Sequence, residues 1–263
     1  MDDARAIWAG PGARRVLHRG GAGTIGIALH PGGYACLPDG GWLLIARPRA
    51  PRGPLTLTVA GLERAPLAVG ERVRIDAHAL VIGTRLRVAL DPVLGSAPAR
   101  GAAPREPEPA RGLAPDAREY APLHPGWRPA LTAALAATPA PAGELAPGLA
   151  ALRRGDGDAA VAQLAGRGPG LTPSGDDVLA GFAAWRHAAG AAVRFPAERC
   201  SPLGRAYLRC AERGELPDPA ERVVRAIRAG DPETARRGAR ALSGWGASSG
   251  AAILWGVAAA ASP

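Results

Sequence analysis

The spacing of apolar residues changes once along this chain, and that change constrains the fold more than any other feature. Between about Val16 and Leu90 short runs alternate apolar and polar with period two: "TIGIAL", "YACLP", "WLLIAR", "LTLTVAG" and "RVRIDAHALVIGTRLRVAL", broken by "HPGG", "PDGG" and "PRGP" turns. In "RVRIDA" and "RLRVAL" arginines alternate with Val, Ile and Leu, so each run has one wet and one packed face. Residues 1–94 are therefore expected to form a small β-rich domain, an antiparallel barrel or sandwich. Residues 95–117, "GSAPARGAAPREPEPARGLAPDA", are dominated by Pro, Ala, Arg and Gly and sustain neither ladder nor helix, so a linker or long surface loop is expected there.

From 118 to 263 the period becomes 3.6. Helices are expected over "GDAAVAQLAG", "DDVLAGFAAWRHAAG", "SPLGRAYLRCAERGE", "DPAERVVRAIRAG", "DPETARRGARALSGW" and "AAILWGVAAAA". "DPAE" and "DPET" each place an Asp cap before a Pro at the first helical position, with Glu in the first turn. The last helix, 251–261, is almost wholly apolar and must be buried. The fold class is α+β: a β barrel or sandwich followed by a helical domain.

At 263 residues and 47% hydrophobic the chain is long enough to bury a substantial core. Its 32 basic and 23 acidic residues give a net charge of +9, yet the sequence contains no lysine and no asparagine, and its arginines are scattered without a basic run or an aromatic-interleaved stripe. That footprint argues against nucleic acid as a partner. The lack of lysine excludes Schiff-base chemistry, a Walker P-loop and a Ser-x-x-Lys pair. Cys36, Cys200 and Cys210 form no C-x-x-C and no even-numbered framework, which suits a reducing compartment. No run approaches the length of a membrane span and the first residues are acidic, so the cytoplasm is the expected location and no membrane partner is expected.

The chemistry concentrates in "GRGPGLTPSGDDVLAG", residues 166–181. Thr172 followed by Pro173 marks a helix start, and the helix is expected to run to about Ala189. Gly166, Gly168 and Gly170 strip the approach of side chains, which lets a ligand touch main-chain N–H groups. A helix start with bare amides is an anion site, and Arg167 adds a fork of donors. The plain alternative is that Asp176 and Asp177 simply favour the helix dipole and that the glycines are loop vocabulary. Against it stands the joint presence of glycine access, two hydroxyls (Thr172 and Ser174) and two carboxylates on one turn. Carboxylates repel bare phosphate, so they point either to a bridging metal or to a guest that also offers N–H donors, such as an amide or ureido group. No metal ligand set or cofactor is specified; a Mg ion is the one candidate.

A second turn of the same kind lies in "GWGASSGAAILWG", residues 244–256. It is formally G-x-S-x-G, but a nucleophile elbow needs a strand before the serine and a histidine after it, and the last histidine is His187. What survives is a hydroxyl-and-glycine turn, Ser248, Ser249 and Gly250, that opens a buried helix. Two such starts facing one another would enclose a pocket. His18, His30, His78, His124 and His187 show no ligand spacing and read as packed or surface residues, and Trp185, Trp245 and Trp255 as core or pocket wall.

The run "GPGLTPSGDDVLAG" closely resembles the hallmark of a bacterial domain family that includes AllH, a subunit of oxamate carbamoyltransferase in anaerobic allantoin breakdown, a branch of purine catabolism. The resemblance extends to "SPLGRAYLRCAERGE" (201–215) and "GASSGAAILWGV" (246–257) and, more loosely, to "RGPLTLTV" (52–59). It implies a role in moving a carbamoyl group, with oxalurate and phosphate giving oxamate and carbamoyl phosphate, inside a heteromeric complex with an FdrA-like chain and a sister subunit. On that resemblance Gly168, Gly170, Leu171, Thr172, Pro173, Ser174 and Gly175 are expected to contact phosphate or carbamoyl phosphate, with Arg167 neutralising charge. Asp176 or Asp177 would accept N–H from the carbamoyl or ureido group or hold a metal, and Ser248, Ser249 and Gly250 would close the far side. Ala252 stands where relatives often carry an acid, and Gly204 where a hydroxyl is common. These departures leave open a paralogue acting on another ureido or amide compound, as they leave open a noncatalytic subunit that holds an anionic metabolite.

Overall fold

Eight short strands close on themselves, which removes the exposed sheet edges that an open sheet of this size would carry. They are β1 (Asp2–Ala9), β2 (Gly21–Leu29), β3 (Gly32–Cys36), β4 (Trp42–Ala46), β5 (Thr56–Ala60), β6 (Arg72–Ile75), β7 (Ala79–Ile82) and β8 (Leu86–Ala89). Around the barrel they run β1-β5-β4-β3-β2-β6-β7-β8. The computed structural model describes residues 2–30, 32–94 and 122–262, so the expected linker at 95–117 lies outside the described residues.

The β-then-α order is as expected, and most pairings are antiparallel. Two are parallel: β1 with β8, where Ala4 lies beside Val88, and β4 with β5, where Ile45 lies beside Leu57. Two further elements differ from the sequence expectation. β1 reads "DDARAIWA", mostly charges and alanines with Ile7 its one β-branched residue, and it is held by pairing on both sides to β5 and β8. The stretch from Val16, expected to start the strand region, instead belongs to helix α1 (Pro11–Arg19), which opens on a proline and ends at Gly20 with φ of 66°.

The barrel interior is filled by Ile25, Leu43, Ile45, Leu57, Leu80, Ile82 and their neighbours. β6 alternates exposed and buried as its arginines predict, whereas β3, β4 and β5 are buried on almost every residue. The reason is that the helical region covers part of this side of the barrel. Tyr34, Trp42 and Leu55 pack with Leu203 and Cys210 in one small cluster. Beside that cluster Arg15 of α1 grips Glu215 with two hydrogen bonds of 2.6 Å.

The helices are α2 (Asp91–Leu94), α3 (Trp127–Ala136), α4 (Ala146–Arg153), α5 (Gly157–Leu164), α6 (Ser174–Ala188), α7 (Pro202–Ala211), α8 (Asp218–Arg228), α9 (Pro232–Ser243) and α10 (Ser249–Ala261). Local chemistry fixes several starts. Asp156, Ser201 and Asp231 each accept a backbone N–H three residues on. The expected cap at Asp218 is instead the first residue of α8, preceded by Pro217, and α6 starts at Ser174 behind Pro173, with no cap from Thr172. Among the described residues no helix is long and apolar enough to cross a membrane.

α6 and α10 form the centre of the helical region and are buried over most of their length. Their backbones touch because glycines stand at the crossing. A Cβ at Gly181 would overlap the Ile253 carbonyl, and one at Gly256 would overlap that of Val178. Gly181→Ala and Gly256→Ala should each lower stability by about 1–3 kcal/mol or more through overpacking, measured by urea unfolding. The same change at Gly143, which meets nothing nearby, should leave stability within about 0.5 kcal/mol.

Candidate functional site

The crossing of α6 and α10 sets their N-terminal ends side by side, and the hydroxyls ahead of each helix meet. Ser174 Oγ lies 2.7 Å from Ser248 Oγ, and Thr172 Oγ1 lies 3.1 Å from Ser249 Oγ. In front of them opens a cavity of about 330 Å³, at the lower end of the range for small-molecule sites. Thr172, Asp177, Ser248 and Ser249 line it from the two helix starts, Trp245 and Ile253 form part of its wall, and Leu171, 48% exposed, stands at its rim.

The structure separates the two aspartates. On a helix, adjacent residues point about 100° apart. Asp176, 1% exposed, turns back into the protein, where Oδ1 accepts the Gly166 N–H at 2.7 Å and Oδ2 accepts the Ser201 N–H at 2.9 Å. It is a staple between the approach loop and the start of α7, it is absent from the cavity lining, and its oxygens are already engaged. Asp177, 5% exposed, faces the cavity, and its Oδ2 is buried without a hydrogen-bond partner. Burial pushes the Asp177 carboxyl up to about 8; the hydroxyls of Ser249 and Thr172 pull it down, and the charge on Asp176 adds to the rise.

The expected anion nest at the mouth of α6 is only partly where the sequence put it. The Gly175 N–H donates to the Arg167 carbonyl, and those of Asp176 and Asp177 donate to Pro173, so the first-turn amides are used internally. Gly250 N–H likewise goes to Trp245. Gly175 and Gly250 are packing glycines: a Cβ at either would overlap the carbonyl of Leu164 or Leu242. The backbone that stays open is one step earlier, at Gly170, Leu171 and Thr172, whose amides donate to no group among the described residues. There Gly168 and Gly170 take φ of 101° and 100°, a conformation that side chains rarely tolerate. Arg167 is exposed and does not line the cavity; Gly168, Pro173 and Ser174 also lie behind the lining.

Two residues that the sequence reading missed complete the site. Tyr34 from β3 and Tyr207 from α7 both line the cavity, and their hydroxyls lie 3.1 Å apart. Trp42 packs edge-on against Tyr34, with ring centroids 6.3 Å apart. Burial raises both phenols above their ordinary range. No local signal could have found this pair, because its members lie far apart in sequence and on different halves of the fold.

Neither a metal set nor a nucleophile emerges. Among the described residues no group of three or more His, Cys, Asp or Glu side chains converges, and the carboxyl pair expected to hold Mg diverges as described. Cys200 is pushed up to about 12, chiefly by burial, and Cys210 is raised for the same reason, so neither is a thiolate at neutral pH. The departure at 204 has a physical counterpart: a Cβ at Gly204 would collide with the Asp176 carboxylate.

Fold and site together define a β barrel joined to a helical bundle, with a small-molecule cavity at the paired helix starts and one barrel tyrosine in its wall. Residues 164–261, which include α6 to α10 and both hydroxyl turns, match the model of the family described as oxamate carbamoyltransferase subunit AllH. The resemblance seen in the sequence is thus found again over this segment. No curated protein and no solved structure matches the chain.

The two aspartates should respond oppositely to substitution. Asp176→Ala removes a buried carboxylate's hydrogen bonds to the Gly166 and Ser201 N–H groups and should cost about 2–5 kcal/mol. Asp177 binds a proton more tightly folded than unfolded, so its contribution makes stability fall as pH rises from about 4 to about 8, at about 1.4 kcal/mol per pH unit, and level off above. Asp177→Asn should remove that slope, read by urea unfolding across this pH window.

Proposed function

We propose that this chain is a subunit of a carbamoyltransferase complex and that its cavity receives the ureido or carbamoyl end of a small metabolite such as oxalurate. The observation that carries this reading is the buried Asp177 carboxyl with one oxygen unpartnered, set among paired hydroxyls at the wall of the cavity, within the segment that matches the AllH family. A planar ureido group offers both N–H donors and a carbonyl acceptor, which this polar set can satisfy together. The carboxylate of such a metabolite finds its donors at the open amides of 170–172. Transfer to phosphate would proceed by positioning, with the lining hydroxyls binding the metabolite.

One feature favours the second reading, a subunit that holds the metabolite while a partner completes the reaction. Among the described residues neither arginine nor histidine lines the cavity, so these residues give the dianionic phosphate no counter-charge there. The family description names a subunit, which suggests a multi-subunit complex, and an FdrA-like chain and a sister subunit are the partners we propose for it. Both readings place the reaction in the cytoplasm.

Calorimetry of the isolated chain should detect binding of oxalurate, with turnover appearing only when the partner chains are added. Turnover by the isolated chain would favour a self-sufficient enzyme. Asp177→Ala should weaken oxalurate binding at least about tenfold, the cost of one lost hydrogen bond to a buried group. Unchanged affinity in that variant would rule out this cavity as the site.

A further inference from the structure

Asp177 sits where a carboxylate is hardest to keep charged. The titratable groups around it are Asp176 on its own helix, Tyr34 from β3, Tyr207 from α7, and Glu215 in the segment after α7. None of these is a cation, and the nearby Arg15 is committed to Glu215 through two hydrogen bonds. The hydroxyls of Thr172 and Ser249 pair with each other and also lie against Asp177, where they favour its charged form, while Ser248 pairs with Ser174. With one oxygen unpartnered and no counter-charge lining its cavity among the described residues, burial outweighs these hydroxyls and favours the neutral carboxyl at pH 7.

A neutral carboxyl has a different recognition grammar from a carboxylate. It presents one donor and one acceptor side by side, which is the complement of the donor and acceptor on one edge of a primary amide or urea. Resting on the reading of this cavity as the carbamoyl site, we propose that Asp177 meets its ligand as a carboxylic acid, donating O–H to the carbonyl oxygen and accepting N–H from the nitrogen of a planar carboxamide or ureido group, so that the cavity selects a neutral amide edge and rejects a phosphate dianion. No bond is made or broken in this recognition and the proton stays on Asp177. Tyr34 and Tyr207 are positioning residues. Their linked hydroxyls close the barrel side of the cavity, which makes the site dependent on both halves of the fold.

The test is calorimetry of the full chain with oxamate as the carboxamide probe and inorganic phosphate as the anion probe, at pH 7 and pH 9. Neither the amide nor the carboxylate of oxamate titrates in this range, so a pH effect reports on the protein. With a carboxyl that titrates at about 8, oxamate should bind about tenfold more weakly at pH 9 than at pH 7. Asp177→Asn supplies the same donor and acceptor without a titrating proton. It should keep affinity close to wild type at pH 7 and lose the pH dependence, while Asp177→Ala loses binding at both pH values. Phosphate should not compete with oxamate. A thermal melt of each variant checks folding, and the wild-type pH series needs no variant at all. Wild-type binding that strengthens toward pH 9, together with loss of binding in Asp177→Asn, would overturn the neutral-acid mode and leave the site reading intact, since an ionised carboxylate would then be the recognising group. Failure of the folded wild-type chain to bind oxamate at either pH would overturn both.

Discussion

The contact between the backbones of α6 and α10 is the constraint from which the rest of the site follows. Gly181 and Gly256 let the helices approach until carbonyl oxygens occupy the space where side chains would stand. At that separation the two helix starts lie side by side, and the Ser174–Ser248 and Thr172–Ser249 hydroxyl pairs follow from geometry. Gly175 and Gly250 extend the same close packing to the helix starts themselves. A chain with alanines at these positions would hold its helices further apart, and the hydroxyl pairs would part.

On this frame the adjacent acids divide their work. Asp176 spends both oxygens on the backbone of two loops, which fixes the approach loop against the start of α7. Asp177 spends its burial on the cavity. The first is a structural carboxylate whose partners are fixed amides, and the second is an under-satisfied group, which a folded protein retains at a cost to stability. The hydroxyl pair from β3 and α7 then ties the barrel to this centre, assisted by the Arg15–Glu215 ion pair. The cavity wall and the docking of the two halves share the same few residues.

Much of this was legible in the sequence, and the parts that were not share a physical cause. Period-two runs announced β2 to β8, and "DPET" announced the Asp231 cap of α9. The glycine-rich motif and the serine turn were legible as helix starts with chemistry. β1 was not, because an edge-like sequence such as "DDARAIWA" becomes a strand only through partners on both sides. The packing role of Gly175 and Gly250 was not legible, because a glycine needed for ligand access and one needed for helix packing are written with the same letter. The Tyr34–Tyr207 pair depends on tertiary docking, and the division between Asp176 and Asp177 depends on which face of α6 meets the core. Neither is a local property of sequence.

On this reading Asp177 holds a proton inside the cavity at neutral pH. Infrared difference spectroscopy between the wild-type chain and Asp177→Asn tests it directly, because a neutral carboxyl has a carbonyl stretch that a carboxylate lacks. The account predicts that this band is present at pH 7, absent from the variant, and bleached as pH rises through about 8. A spectrum at pH 7 with only the paired carboxylate bands at this position would contradict it.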